Sequence, residues 1–407
     1  MDIFRDIYEL RLFDTPLLRF RFGVENPVHI LEISPETTHL LPFGLTPTDD
    51  GLWRWLATRA IPQNRRFADV LCRTLGMSSN DRSQILTICR GLSLNDSYWI
   101  CAQGDDSSFN DVNLFDNGFS SVLAAVAYTG IVSNMHGLTP ETPELTTNGA
   151  LRKAWRALPE SDTYDKKPSR YLYKGSSVQS PHIGEARVEF LASQVARAMG
   201  LDVVEYNLGF WDQESTEPSS ICECFCSKYE SYAPYASIFG DAGHSRVAAN
   251  LINTNLEWFE RYASMMVFDS LIYNTDRHLT NFGLLFDANN RELIKFAPVF
   301  DNGHAMFFNL KFEQVDDFAI ESRFASPTWA QVTFDEQAAR LMGDLQKEEL
   351  SRLEGFEFLN SEAAPMPEEF LKSASRFIRE RAKELLRLPA IDRSRLQEAA
   401  CPLHCVY

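Results

Sequence analysis

Leu271-Ile-Tyr-Asn-Thr-Asp276-Arg277-His278-Leu-Thr-Asn281-Phe-Gly283 is followed by Phe296-Ala-Pro-Val-Phe-Asp301-Asn-Gly303. Read together, the two stretches place a carboxylate, a carboxamide and a second carboxylate in fixed order: Asp276, Asn281, Asp301. Phosphoryl transfer from ATP needs this inventory. One Asp accepts or orients the attacking hydroxyl, while an Asn and another Asp hold Mg²⁺ against the phosphates. Mg²⁺ is a hard cation that takes oxygen ligands and keeps several waters, so one Asn and one Asp from protein suffice.

The flanking sequence predicts how these residues are presented. Phe259, Tyr262, Met266 and a mainly apolar run over 268–273 predict a largely buried helix across 257–273. A loop opens at Asn274. Phe282–Phe286 reads as a short strand, Asp287–Asn290 as a turn and Leu293–Phe296 as the hairpin partner, with Pro298 ending the pairing. The polar triplet therefore sits on loops hung from a buried helix and a hairpin, where functional side chains are usually presented.

The stretch Asn274–Asn281 resembles the catalytic loop of HipA-like serine/threonine kinases, including the CtkA-type branch. Phosphoinositide kinases share Asp-Arg-His-x-x-Asn, so this loop alone does not separate protein from lipid acceptors. The resemblance implies Asp276 as base, Asn281 and Asp301 as metal ligands, and His278 as a hydrogen-bonding brace of the loop. The second motif departs from the usual Asp-Phe-Gly: no Phe follows Asp301 in Phe300-Asp-Asn-Gly303, so a switch that flips that ring is not expected.

Upstream, Gly149-Ala150-Leu-Arg-Lys153 matches the Gly-Ala-x-x-Lys loop that covers the ATP phosphates in this family. A glycine there lets backbone N–H groups fold around an anion. Ser169–Lys174 is strand-like, and Lys174 resembles the strand lysine that pairs with the α- and β-phosphates. Residues 184–199 read as a helix stopped by Gly200, with Val188, Leu191, Val195 and Ala198 as its apolar stripe. Kinases place a Glu here that pairs with the strand lysine. Glu189 is the favoured residue, with Glu185 one turn away as the alternative. Residues 203–210 and 221–226 read as strands, the second leading to a hinge beside adenine near Ser227–Tyr229. The family habit of modifying a hydroxyl in the phosphate loop implies autophosphorylation at Thr146 or Thr147.

Towards the N-terminus, residues 17–22 and 28–34 alternate as a β-hairpin. Helices are expected at 49–59, 64–75, 80–90 and 119–129, and a strand at 97–101. The loop over 131–144, with Gly137, Pro140 and Pro143, reads as a boundary. The chemistry of residues 1–130 is unreadable from sequence. Helices at 335–354 and 366–388 complete the chain, the last with Phe370, Ala374, Phe377 and Leu385 inward. The expected fold class is α+β, a bilobal protein-kinase-like fold of the HipA type with a β-rich N-lobe carrying the glycine loop and a mainly helical C-lobe. Its divisions are 1–143, an N-terminal α+β region packed on or extending the N-lobe; 144–230, the N-lobe; 231–390, the C-lobe; and 391–407, a tail.

Composition narrows the function. The formal charge of −17 argues against a nucleic-acid backbone as the main partner, which needs basic patches. No apolar run is long enough for a membrane span, and Met1-Asp-Ile-Phe-Arg-Asp lacks the pattern of a secretory signal. The eight cysteines include no CxxC pair, which suits reduced thiols in a cytosol. Cys222-Glu-Cys224-Phe-Cys226 invites a zinc reading. One strand spaces alternate residues about 6.5–7 Å apart, too far for three thiolates on one zinc. Buried strand cysteines are expected instead, and Cys401 and Cys405 with His404 are assigned to the tail. The resulting expectation is an ATP-dependent serine/threonine protein kinase, toxin- or effector-like, with ATP and Mg²⁺ as cofactors. Its partners are a protein substrate and an antitoxin-like protein. It is placed in the bacterial cytoplasm, with export into a host kept open. The alternatives are a lipid or small-molecule kinase with the same site, and a catalytically silent nucleotide-binding module.

Overall fold

The computed structural model describes residues 6–24, 26–132, 138–158, 169–178, 182–241, 243–318, 322, 325–327 and 332–393. The cysteines and histidine of the expected tail lie outside these residues. The chain divides into two compact units. The first comprises Met1–Gly175, Cys222–Ala233 and Leu285–Ile294; the second comprises Ser176–Ile221, Pro234–Leu284 and Lys295–Tyr407. The boundary expected near 143 falls inside the first unit.

In chain order the elements are β1 (Tyr8–Leu12), β2 (Thr15–Phe22), β3 (Val28–Ile33), α1 (Asp49–Ala57), α2 (Ala68–Thr74), α3 (Arg82–Cys89), β4 (Tyr98–Ala102), α4 (Phe109–Val112) and α5 (Ser121–Thr129). There follow β5 (Lys153–Leu158), β6 (Ser169–Lys174), α6 (Gly184–Met199), β7 (Tyr206–Gly209), β8 (Ser219–Glu223), β9 (Glu230–Pro234), α7 (Tyr235–Phe239), α8 (His244–Thr254) and α9 (Leu256–Ile272). The hairpin strands β10 (Gly283–Asp287) and β11 (Leu293–Phe296) come next, and helices Phe334–Leu341, Asp344–Ser351 and Glu368–Leu386 close the described chain.

The first unit opens on an antiparallel sheet of order β3-β2-β1-β4. Its register follows the alternation in β2. Leu18, Phe20 and Phe22 are buried while Arg19 and Arg21 face solvent, because successive strand residues point to opposite faces. Tyr8 and Phe20 each pack on Phe22 with ring centroids 5.3 and 5.4 Å apart. β1 was not expected, although Tyr8, Leu10 and Leu12 alternate with Glu9 and Arg11 in the period of two that marks a strand. Glu9 is nevertheless buried, and its carboxylate accepts from Arg11 and Arg19. β5 and β6 form a second antiparallel pair, in register from Lys153↔Lys174 to Leu158↔Ser169.

In the second unit, α6 ends where expected, with Gly200 left-handed at φ 87°. Its buried face is broader than the four-residue stripe, taking in Ala192, Ala196 and Met199, whereas Ala198 is only half-buried. Phe307, Phe318 and Phe377 pack edge-on at 4.9–5.5 Å. Tyr273 joins Phe318, Phe334 and Phe377 at 5.2–6.1 Å. The helix expected over 335–354 is two, Phe334–Leu341 and Asp344–Ser351, because Gly343 breaks it. The strand expected over 221–226 is β8, ending at Glu223. Cys222 is thus in the strand, and Cys224 and Cys226 follow it as free thiols.

α9 leads into the Asp276–Asn281 loop. Asn255 caps its start, its side-chain oxygen accepting from the amides of Glu257 at 2.8 Å and Trp258 at 3.4 Å. Asn255→Ala is expected to lower unfolding free energy by about 1 kcal/mol, while Asn255→Asp keeps most of the stability. Urea denaturation midpoints of the two variants check this.

Candidate active site

α9 stops because Tyr273 turns left-handed at φ 53°, a conformation disfavoured without glycine. The aromatic packing around its ring holds it there. Its amide and that of Asn274 both donate to the Asp269 carbonyl, the latter at 3.0 Å. The loop that follows is organised by Arg277, which is 2% exposed. Its guanidinium grips the Asp269 carboxylate through Nε at 2.9 Å and a second nitrogen at 3.1 Å. The remaining donors reach the Asn281 carbonyl at 2.9 Å, the Phe300 carbonyl at 2.6 Å and the Asn302 side-chain oxygen at 2.5 Å. One cation thereby ties α9, the Asp276–Asn281 loop and the Asp301 loop. Burial lowers the pKa of this guanidinium, but Asp269, Asp301 and Glu189 outweigh it and hold the group above its ordinary value.

The loop residues are oriented locally. The Asn281 side-chain nitrogen donates to the Asp276 carbonyl at 3.1 Å, and the Asp276 amide donates to the Asn274 side chain at 3.1 Å. The Asp276 carboxylate is part-exposed. His278 Nδ1 lies 2.8 Å from the Thr280 hydroxyl and accepts the Thr280 amide at 3.4 Å, a brace within the loop. Asp301 has φ 59°, and its amide donates to the Tyr206 hydroxyl at 3.4 Å.

Helix α6 approaches the same loops. Glu189 is fully buried, and its carboxylate accepts the Asn302 amide at 2.8 Å. A side chain at Gly303 would put its first carbon 3.0 Å from the Glu185 Cβ, so glycine permits this approach. His304 was missed by the sequence reading. Its Nε2 lies 3.6 Å from Glu185 and its Nδ1 3.9 Å from Asp276, with the ring stacked on Phe308 at 4.9 Å. The only sequence signal was its place directly after Asn302-Gly303. Burial would raise the Glu185 carboxyl, but His304 and the Ser177 hydroxyl and amide hold it down at about 2.

The first unit holds the other predicted residues. Gly149 is left-handed at φ 96°, and the Lys153 ammonium folds back over it to the Asn148 carbonyl at 2.7 Å. Ala150 is held at its carbonyl by the Arg66 amide at 3.0 Å. Lys153 and Lys174 are direct cross-strand partners on β5 and β6, so their side chains leave the same face of the pair. The Thr147 hydroxyl donates to the Pro143 carbonyl at 2.7 Å and accepts from the Trp155 indole at 3.0 Å, while Thr146 is buried.

The model of the HipA-like C-terminal domain matches residues 145–353, just over half of the chain, and the chain belongs to that family. Its α+β fold is of the HipA type. A chain in the structure of the Shewanella oneidensis MR-1 toxin–antitoxin system HipA, HipB and operator DNA is similar over 97% of this chain and 99% of that one, with 12% identity and a TM-score of 0.52. The proinflammatory kinase CtkA of Helicobacter pylori is similar over 64% of this chain and 96% of that one, with 16% identity and a TM-score of 0.46. At 12% identity the likeness to the HipA structure is one of fold. No curated protein matches the chain. No described helix is long and apolar enough to cross a membrane.

Two outcomes are expected from the site. Arg277→Met leaves the buried Asp269 without a counter-charge, which costs about 3–5 kcal/mol, and adding Asp269→Asn recovers part of that loss. Denaturation of the single and double variants measures both. Ser177→Ala removes a bond to the ionised Glu185 and raises its pKa. The wild-type carboxyl titrates at about 2 folded against 4.5 unfolded, so its stabilisation is complete above 4.5 and lost as pH falls towards 2. The variant therefore loses this stabilisation at a higher pH, visible in melting temperature followed from neutral pH downward.

Proposed function

We propose that this protein is an ATP-dependent kinase that transfers the γ-phosphate to a serine or threonine hydroxyl of a protein. The observation that carries the reading is Arg277. Its guanidinium holds the carbonyls of Asn281 and of Phe300, the residue before Asp301, so the two assigned metal ligands share one rigid mount. The donor set suits Mg²⁺. The Asn281 nitrogen is spent on the Asp276 carbonyl, which leaves the carboxamide oxygen, and Asp301 adds a carboxylate, both hard ligands. Bound there, Mg²⁺ supplies charge neutralisation for the phosphates.

The chain's residues divide the chemistry. Asp276 takes the proton as the acceptor oxygen bonds to the γ-phosphorus, and the bond to the bridging oxygen breaks with its electron pair leaving on ADP. His304 and the Asn274 bond orient Asp276, and Glu189 fixes the Asn302 backbone beside the metal ligand. Lys153 and Lys174, paired across β5 and β6, are the phosphate-directed cations, and the Gly149–Ala150 amides the anion-facing donors. Autophosphorylation at Thr146 or Thr147 requires this loop to open, because the Thr147 hydroxyl is spent on Pro143 and Trp155. The HipA–HipB–DNA complex supports a search for an antitoxin-like partner. The charge of −17 disfavours direct contact between this chain and a DNA backbone.

The two aspartates are expected to fail differently. Asp276→Asn keeps Mg·ATP binding and lowers transfer by roughly 10²–10⁴-fold, as for loss of a positioned base. Asp301→Asn weakens Mg·ATP binding as well as stopping transfer. Calorimetry with and without EDTA, phosphate transfer to lysate proteins followed by phosphosite mass spectrometry, and melting temperature together decide it. Full activity in Asp276→Asn, or identical nucleotide binding in both variants, overturns the assignment.

A further inference from the structure

We infer that Thr58–Arg66 of the N-terminal region sets the shape of the Gly149–Lys153 loop, with Arg65 as its positioning residue. The inference rests on the reading of that loop as the phosphate-binding loop. Arg65 is 3% exposed and faces the inner side of the loop. One terminal nitrogen donates to the carbonyls of Glu144 at 3.2 Å and Thr147 at 3.1 Å. The other donates to the Lys153 carbonyl and lies 3.5 Å from the Glu144 carboxylate. The same segment grips the loop by its backbone. The Ile61 amide donates to the Leu145 carbonyl at 2.7 Å, the Arg66 amide to the Ala150 carbonyl at 3.0 Å, and the Asn148 side chain to the Thr58 carbonyl at 3.2 Å. The attachments are spread from residue 144 to residue 153, so they define a path for the loop and not a single anchor.

A trans peptide points its carbonyl and the following amide in opposite directions. Drawing the Thr147 carbonyl onto Arg65 therefore turns the Asn148 amide away from the guanidinium, and the bond to the Lys153 carbonyl fixes the loop where it enters β5. A buried cation behind a loop is thus a means of aiming amides outward, and an anion site gains from having them aimed beforehand. A lysine has no planar fork to serve three carbonyls. Glu144 completes the arrangement. It is fully buried, accepts the Trp155 amide at 2.7 Å, and carries the loop into β5. Burial pushes its carboxyl up to about 7 against the pull of Arg65.

The test is hydrogen–deuterium exchange on the full chain without nucleotide, with ATP kinetics alongside. Arg65→Gln with Glu144→Gln removes the cation without stranding a buried carboxylate. Asn148→Ala removes one attachment at an exposed position and guards against misfolding of the double variant. The double variant is expected to exchange amides 145–153 about tenfold faster while β1–β4 stay unchanged. The KM for ATP rises more than kcat falls. Asn148→Ala shows a smaller effect centred on 147–149. Unchanged loop exchange in the folded variants overturns the inference, and so does an equal rise across β1–β4, the mark of general destabilisation. Faster loop exchange in a protein whose wild type transfers no phosphate upholds the positioning role and sinks the kinase reading alone.

Discussion

The second unit depends on a buried ion pair. Arg277 and Asp269 are each almost fully removed from water, a placement in which desolvation alone exceeds the attraction between the charges unless further hydrogen bonds satisfy the donors. Those bonds are present, and all go to backbone or carboxamide oxygens of the Asp276–Asn281 loop and the Phe300–Asn302 segment. A hydrophobic pair of equal volume could stabilise the fold as well, but it could not specify where Asn281 and Asp301 sit. Charge burial here serves geometry, which requires the planar five-donor fork of arginine.

Helix α6 contributes a second layer of positioning. Its two glutamates, one turn apart, are not equivalent. Glu189 accepts the Asn302 amide, and Glu185 meets His304 and Ser177. Gly303 makes this approach possible by omitting a side chain where Glu185 already stands. The result couples the helix to the Asp301 loop and, through His304, to Asp276. A shift of α6 would therefore be felt at both carboxylates of the proposed chemistry.

The first unit uses its chemistry differently. Lys153 and Lys174 stand directly opposite each other on β5 and β6, and the Lys153 ammonium turns back to the Asn148 carbonyl. Behind them, Arg65 is turned inward to the loop's carbonyls. The N-terminal region, whose chemistry could not be read from its sequence, thus has a physical role in the geometry of the loop.

Short-range patterns decided what the sequence alone could determine. The 3.6-residue stripe and Gly200 placed α6 over Gly184–Met199, alternation placed β2 and β3, and the Asp276–Asn281–Asp301 spacing identified the family that residues 145–353 match. Local signals were insufficient where the cause lies far along the chain. The alternation of β1 is local, but the burial of its Glu9 rests on Arg19 of a neighbouring strand. Arg277 looked like one member of a tripeptide, and only folding brought it Asp269, Phe300 and Asn302. Arg65 and Glu144 are 79 residues apart, and His304 gained meaning only beside Glu185. Propensity and periodicity are properties of neighbours in sequence. The partners of a buried charge are chosen by the tertiary structure, because only burial makes an unpaired charge costly enough to fix its place.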